Sequence, residues 1–422
     1  MASKPAKASA PANPWLHVIG IGEDGAAGLR ADALDALAGA EVIIGGSRHH
    51  KLQPELAAER IEWPSPFRQA IGQVLGLRGR QVAVLVSGDP LWYSAGALLQ
   101  RHVPVEEIRY YPQLSAFQWA AVRMGWSLAD VETVTVHGRA AEQIIPHFGP
   151  GVRLLVLTRD GDSPKEIAQL LKARGFAQSR LTVLAALGGP KEKRIDGVAA
   201  KWRRKAPDFH LLAVECVADM GAEAFSRTGG LPDHAFAHDG QMTKRVVRAA
   251  TLSALLPYPD ALLWDIGAGC GSISVEWMRA ARGAMAIAIE PDGKRRGLIE
   301  RNRLALGVPK LRIVAGEAPG ALKGLPQPDA VFIGGGLTDG KVFETAWKAL
   351  RGGGRLVANG VTLESEARLV ALCEKHGGTL ERIAASEAVA IGRYRAMKPL
   401  MAVTQWTVIK GTVAKGASEA RS

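Results

Sequence analysis

Asp265 and Glu290 are the acidic residues whose settings most restrict the chemistry of this chain. Asp265 closes the apolar run Ala261-Leu262-Leu263-Trp264 and leads into Gly267-Ala268-Gly269-Cys270-Gly271. Glycines at alternate positions let a backbone come close to a ligand and tolerate positive φ in a tight turn. About twenty residues later the run Ala286-Ile287-Ala288-Ile289 ends in Glu290. A carboxylate at the end of a second strand can accept hydrogen bonds from both hydroxyls of a ribose, as in dinucleotide folds. Gly316-Glu317-Ala318 follows the third expected strand, where adenine sits in such sheets, and Gly334-Gly335-Gly336 follows the fourth, beside the reacting end. The nicotinamide fingerprint is GxGxxG, whereas the spacing here is GxGxG. The ligand expected is therefore a nucleoside of another kind.

The N-terminal half carries a different loop, Gly20-Ile21-Gly22-Glu23-Asp24-Gly25. It does match GxGxxG after a strand. The acidic residue about twenty positions on, Glu41, begins its strand instead of ending it, which is the wrong end for a ribose. Three later segments carry more weight: Ser87-Gly88-Asp89-Pro90-Leu91-Trp92-Tyr93-Ser94, Tyr110-Tyr111-Pro112-Gln113-Leu114-Ser115-Ala116, and Leu187-Gly188-Gly189-Pro190 with Glu192 and Arg194-Ile195. The first two each follow an expected strand.

These loops need two scaffolds. A chain of 422 residues exceeds one ordinary core, and two domains are the natural expectation. Short β-rich runs alternate with helical patterns throughout, which indicates α/β domains. Strands are expected at 16–21, 41–44, 82–86, 108–111, 133–136, 153–157, 181–184 and 210–214, then at 262–264, 286–290, 311–314, 330–333, 355–358 and 402–409. The pattern lapses in turn chemistry near Ser226–Asp233, so the reading is a tail at 1–14, a first domain at 15–225, a linker at 226–241, a second domain at 242–412 and a tail at 413–422.

Hydrophobic residues make up 47% of the chain and charged residues 22%, and no apolar run approaches the ~18 residues of a membrane helix. The N-terminus lacks the apolar core of a signal peptide, and the three cysteines, Cys216, Cys270 and Cys373, form no CxxC pair. The expectation is a cytoplasmic protein without a protein-held metal. Residues 226–422 hold 27 Lys and Arg against 18 Asp and Glu, a net +9 of the chain's +12. That excess suits a polyanionic partner, and it also suits plain solubility.

The C-terminal loop resembles that of class I methyltransferases. The N-terminal segments resemble the loops of tetrapyrrole methylases, the class III methyltransferases. The fusion of the two, joined through 230–245, resembles the precorrin-6B C5,15-methyltransferase (decarboxylating) family of cobalamin synthesis over residues 15–410. The resemblance implies a two-lobed tetrapyrrole methylase domain followed by a Rossmann-like class I domain, with S-adenosylmethionine at one site in each. In the first domain it implies cofactor contacts by Gly20, Gly22, Gly88, Asp89, Tyr93, Ser115, Ala116 and Leu187. In the second it implies Thr243, Gly267, Ala268, Gly269, Cys270, Gly271, Glu290, Glu317 and Ala318. One departure is Gln113-Leu114-Ser115-Ala116, where many members carry glycine, isoleucine and two serines; Ala116 lacks the hydroxyl of the second serine.

What the resemblance implies chemically is methylation of a tetrapyrrole at carbon 5 by the N-terminal domain, and methylation at carbon 15 with loss of an acetate carboxyl by the C-terminal one, giving precorrin-8X. The anionic macrocycle needs cations, and Lys244, Arg245, Arg248 and Arg393 (in an expected 392–399 loop) are the candidates. Glu276 and Asn359 are weak candidates for a catalytic part. Family members assemble as dimers or tetramers, so a homo-oligomer is expected, with no nucleic-acid or membrane partner. An RNA methyltransferase is the alternative that the basic C-terminal half leaves open, although Ile333-Gly334-Gly335-Gly336-Leu337 stands where base-amine methylases carry an Asn/Asp-Pro-Pro-aromatic motif. A tetrapyrrole carrier with vestigial cofactor sites is the non-enzymatic alternative.

Overall fold

The computed structural model describes residues 14–53, 56–64 and 69–411. The expected tails lie outside these residues except for Pro14. The described chain forms two compact units, one of residues up to 141 with 147–223, the other of 142–146 with 224 onward.

The first unit has two lobes. Its N-terminal sheet holds β1 (Leu16–Ile21), β2 (Val42–Gly45), β3 (Glu59–Glu62), β4 (Val82–Ser87) and β5 (Ile108–Tyr111), all parallel in the order β3-β2-β4-β1-β5. Helices cover both faces of such a sheet, so its inner strands read as continuous apolar runs. Strand neighbours still point to opposite faces: Val18, Val84 and Val86 join one buried cluster with Trp15 and Val42, while Ile19, Ile21 and Leu85 join another with Leu37 and Ile43. The second lobe is a mixed sheet of β6 (Glu132–Thr135), β7 (Arg153–Leu157), β8 (Arg180–Ala185), β9 (Lys193–Val198) and β10 (His210–Glu215), ordered β6-β7-β10-β8-β9. Only β6 and β7 run parallel there.

The second unit is built on a seven-stranded sheet. It comprises β11 (Leu262–Ile266), β12 (Met285–Glu290), β13 (Arg312–Ala315), β14 (Ala330–Ile333), β15 (Arg355–Gly360), β16 (Thr379–Ile383) and β19 (Val403–Ile409). The order is β13-β12-β11-β14-β15-β19-β16, parallel as far as β15 and antiparallel beyond. The direction of winding changes between β11 and β14, and a ligand crevice is expected outside the carboxyl ends of strands at such a switch point. β17 (Ser386–Ile391) and β18 (Tyr394–Pro399) form a separate hairpin.

Every expected strand is present within one or two residues of its place. Among the described residues five further strands were not foreseen: β3, β9, β16, β17 and β18. They lie at sheet edges or in the hairpin, and most of their residues are exposed. Charged residues on edges discourage further pairing and erase the apolar pattern at the same time. The expected 392–399 loop is thus mostly the strand β18.

The stretch read as a linker also behaves otherwise. Leu231 and Phe236 are buried in the core of the second unit beside Leu252, Ile273 and Trp277. Turn-rich composition marked it as irregular chain but could not show that it is packed.

Candidate active sites

In the first unit the four N-terminal motifs converge on one cleft. Gly20, at the end of β1, lies so close to the loop after β4 that an added Cβ would stand 2.0 Å from the Gly88 carbonyl oxygen. Gly88 has φ +63°, and a Cβ there would come within 2.7 Å of the Ser115 Cα. These glycines are therefore required by contact between loops. Gly22, Gly88, Tyr93, Ser115, Ala116 and Leu187 all line the cleft, with an apolar wall that includes Trp92, Phe117 and Leu211. Tyr93 and Ala186 line it too, with φ of +53° and +48°, a conformation that costs non-glycine residues and gathers at functional sites.

Two expected contacts are already committed to the protein. Asp89 Oδ1 accepts from the N–H groups of Leu91 (2.7 Å) and Trp92 (3.1 Å), which shapes the Gly88–Tyr93 loop. Ser115 caps the helix Ala116–Met124, its hydroxyl accepting from Phe117 N and donating to Gln118. Both residues spend their side-chain groups locally, and of the two Ser115 lines the cleft. Tyr93 donates its hydroxyl to the Thr133 carbonyl at 3.1 Å.

Sequence reasoning missed a polar group in this cleft, Glu23, Arg48 and Ser87. Arg48 pairs with Glu23, donates to Ser87 Oγ at 2.5 Å and lies 4.0 Å over the Phe209 ring. The only signal was the basic run Arg48-His49-His50-Lys51 after β2, which also fits a solvated helix face. His210 lines the same cleft; its Nδ1 donates to the Pro207 carbonyl at 2.6 Å, and burial holds the imidazole below its usual pKa.

In the second unit the loop after β11 lies at the switch point, and its glycines differ in role. A Cβ on Gly267 would stand 2.8 Å from Gly335 N, so the loops after β11 and β14 touch. A Cβ on Gly271 would meet Ile299 at 3.0 Å, where the helix Gly293–Ala305 packs. Gly269 is different: among the described residues nothing but the Gln241 carbonyl, at 3.9 Å, lies within contact range. Space beside it is open to a ligand.

Glu290 is 3% exposed; its Oε2 accepts from Gly269 N at 2.7 Å and its Oε1 from Asp292 N at 3.0 Å. A carboxylate offers about four lone-pair sites, so each oxygen keeps capacity for one more donor, as a ribose diol requires. Asp265 is a structural anchor. Its Oδ2 accepts from the N–H (3.1 Å) and hydroxyl (2.6 Å) of Ser274, and burial pushes its carboxyl up to about 6. Cys270 is buried, and its carbonyl accepts from Asn302. Glu317 is exposed, while Ala268 and Ala318 are half-buried.

Two expectations in this unit need correction. Arg248 is fully buried, so it cannot present its charge to a substrate. Its Nε donates to Glu276 at 2.6 Å, and its Nη atoms donate to Asp233, the Thr243 carbonyl and the Leu231 carbonyl. Glu276, 1% exposed, accepts from that guanidinium and from the N–H groups of Gly230 (2.5 Å) and Leu231 (3.0 Å). The proposed substrate cation and the proposed catalytic carboxylate hold each other and tie 230–233 to the core. Neither is placed for chemistry.

Asn359 is likewise knitted inward, donating to Thr251 Oγ1 at 3.1 Å and accepting from Gln405 Nε2 at 3.0 Å. Thr243 precedes the helix Arg245–Leu255 and is half-buried. Lys244 lies 3.8 Å from Asp233, Arg245 is exposed, and Arg393 is exposed at the tip of the β17–β18 hairpin, 5.0 Å over Tyr394.

The two units have counterparts in known proteins. A family model for tetrapyrrole (corrin/porphyrin) methylases matches residues 16–201, and one for a precorrin methyltransferase domain matches 234–410. A Sinorhizobium protein named precorrin-6Y C(5,15)-methyltransferase (decarboxylating) is 48% identical over 401 residues, spanning 94% of this chain and 97% of that protein. The chain belongs to that family. A Mycobacterium tuberculosis protein of the same name is 38% identical across 94% of this chain and 100% of its own length. A cobalt-precorrin-7 C(5)-methyltransferase of Salmonella typhimurium is 32% identical across 38% of this chain and 79% of its own length. Family members are methyltransferases that use S-adenosylmethionine, so the nucleoside expected from the glycine spacing is that donor. The open surroundings of Gly269 and the spare capacity of Glu290 suit it.

Proposed function

We propose that this chain methylates a precorrin at carbons 5 and 15 and removes an acetate carboxyl, a step of cobalamin biosynthesis. The relatives' names give the substrate as precorrin-6Y, where the sequence reading names precorrin-6B, with precorrin-8X as product. The observation that carries the proposal is near-full-length similarity, across both units, to proteins named for both carbons and for decarboxylation.

The first unit is assigned carbon 5, and the second carbon 15 together with decarboxylation. A relative named for C(5) alone, matching about two-fifths of the chain, supports two separable methylations. Each unit takes its own S-adenosylmethionine, which supplies an already activated methyl group. The protein's task is then alignment, which can contribute ~7–11 kcal/mol when reacting atoms are held in line. In the first unit the packed glycines Gly20 and Gly88 fix the backbone of the cleft. In the second, Glu290 orients the ribose from between two backbone N–H groups, and Gly269 leaves room for the rest of the donor. Exposed Arg245 and Arg393, with Lys244, are the cations left to meet the carboxylates of the macrocycle. Assembly into dimers or tetramers in the cytoplasm completes the reading.

The test is mass spectrometry of the full chain incubated with methyl-labelled S-adenosylmethionine and a precorrin-6 extract. The product should carry two labelled methyl groups and lack one carbon dioxide. A product unchanged in mass overturns the proposal, and methyl transfer to transfer RNA in its place would establish the alternative.

A further inference from the structure

Part of the apolar wall of the first-unit cleft faces solvent. Trp92 (38% exposed), Tyr93 (39%), Leu114 (47%) and Phe209 (47%) all line it. Among the described residues of the first unit, no other Phe, Tyr or Trp is exposed. Single exposed apolar side chains are ordinary on a protein surface, whereas a group of them in one concave place marks a binding surface. These rings are also held from behind. Trp92 and Tyr93 pack on buried Phe117, with ring centroids 5.4 and 5.9 Å away, and the Tyr93 hydroxyl is tied to the Thr133 carbonyl. Phe209 carries the Arg48 guanidinium 4.0 Å from its centroid. Rings fixed in this way lose little freedom when a ligand covers them.

The cations near these rings differ in what they have left to offer. Arg48 is engaged by Glu23, Ser87 and His49. Burial, with the Arg48 charge beside it, holds the His49 ring neutral, its pKa down at about 4. Arg139 is exposed, and its guanidinium lies 5.8 Å over the Tyr93 ring. No carboxylate pairs with it among the described residues. The cleft thus presents aromatic surface with an unpaired guanidinium at its side. Two ligands come to it under the function proposed above. The methyl donor brings a cationic sulfonium, which an unpaired guanidinium repels. The macrocycle brings a flat conjugated face with carboxylates at its edge, and these match an aromatic face and a guanidinium.

We propose that Trp92 and Phe209 form the surface on which the first unit holds the tetrapyrrole macrocycle, and that Arg139, steadied by the Tyr93 ring, takes one of its carboxylate arms. The inference rests on the proposed function and supplies substrate contacts to the first unit. The cations assigned to the macrocycle above, Lys244, Arg245 and Arg393, all belong to the second unit.

The test uses the full chain as Trp92→Ala, Trp92→Phe, Phe209→Ala, Arg139→Gln and Arg139→Lys. Steady-state methyl transfer to the precorrin, with each methylation followed by mass spectrometry, reads substrate capture. Calorimetry with S-adenosylhomocysteine reads the donor, and calorimetry with uroporphyrin III, a stable octacarboxylate tetrapyrrole, reads the surface without turnover. Trp92→Ala and Phe209→Ala should each raise KM for the precorrin in one methylation alone by about tenfold, equivalent to ~1.4 kcal/mol. The Kd of S-adenosylhomocysteine should change little, and Trp92→Phe should restore most of the loss. Arg139→Gln should raise the same KM and flatten its dependence on salt, because a screened attraction to a carboxylate is lost, whereas Arg139→Lys should keep most of both. Arg139→Gln alters a surface group and keeps the test open should either alanine variant fail to fold. A KM within about twofold of the parent in both methylations, for every folded variant, overturns the proposal. So does a raised Kd for S-adenosylhomocysteine with KM for the precorrin unchanged, which gives the surface to the donor. A parent chain that methylates no precorrin would overturn the proposed function instead. Uroporphyrin binding weaker in Trp92→Ala and Arg139→Gln than in the parent would then still support the surface, and equal or absent binding would overturn it.

Discussion

Replacing Glu276 should destabilise the second unit without touching chemistry directly, and the size of the effect can be worked from its contacts. Glu276 and Arg248 are 1% and 0% exposed and 2.6 Å apart. Glu276→Ala would leave a buried guanidinium compensated only by Asp233, at 3.0 Å, and would strip the acceptor from the N–H groups of Gly230 and Leu231. Removing one member of a buried pair costs about 3–5 kcal/mol. At about 2–4 °C per kcal/mol for a domain of this size, the melting temperature should fall by roughly 6–20 °C. Scanning calorimetry of the full chain reads this, and methyl transfer measured well below the transition separates stability from catalysis. The double variant Arg248→Met, Glu276→Leu should recover part of the loss, since apolar replacement of a buried pair is often tolerated. Recovery should be incomplete, because Gly230, Leu231 and Thr243 keep backbone groups that the pair had satisfied. A shift under about 3 °C, combined with loss of the second-unit reaction in folded protein, would refute the structural assignment and return Glu276 to the chemistry.

Glycine variants should separate packing from ligand approach. Gly88→Ala combines positive φ, itself costing ~1–2 kcal/mol, with a 2.7 Å clash against the Ser115 backbone, so thermal melts should show the first unit clearly destabilised. Gly269→Ala bears only the φ cost, since its surroundings are open, and calorimetry should show S-adenosylhomocysteine binding falling by more than stability does. Glu290→Ala should weaken cofactor binding in the second unit by ~1.5–3 kcal/mol through lost charge-assisted hydrogen bonds, and two-site titration should leave the other site unchanged. His49 titrates near 4 in the folded chain against 6.5 ordinarily. A depressed histidine contributes stability that is present above about pH 6.5 and lost as pH falls toward 4. Denaturant titrations across that window should show a shallower slope for His49→Gln than for the parent; identical slopes would contradict the neutral assignment.

The cofactor loops and the strands that carry them could be read directly from neighbouring residues. A parallel strand buried on both faces announces itself as an unbroken apolar run, as 82–86 and 286–290 do, and a loop that must approach a ligand announces itself by glycine spacing. Ala330–Ile333 and Arg153–Leu157 were placed to the residue on that basis. Side-chain roles were decided elsewhere. Glu276 and Arg248 are 28 positions apart; Glu276 follows a cofactor loop and Arg248 offers a cation to an anionic substrate, so by sequence each reads as a site residue. Only the packing of the helix Arg245–Leu255 against the helix Ser272–Ala280 and 230–233 shows that both charges are consumed in the core. Arg48 and Ser87 meet across 39 positions because β2 and β4 are adjacent in the sheet, and strand order is a property of the whole fold. Edge strands such as β9 and β16 follow the same logic. Their exposure removes the apolar periodicity that would reveal them, and their existence depends on a partner strand that local sequence does not specify.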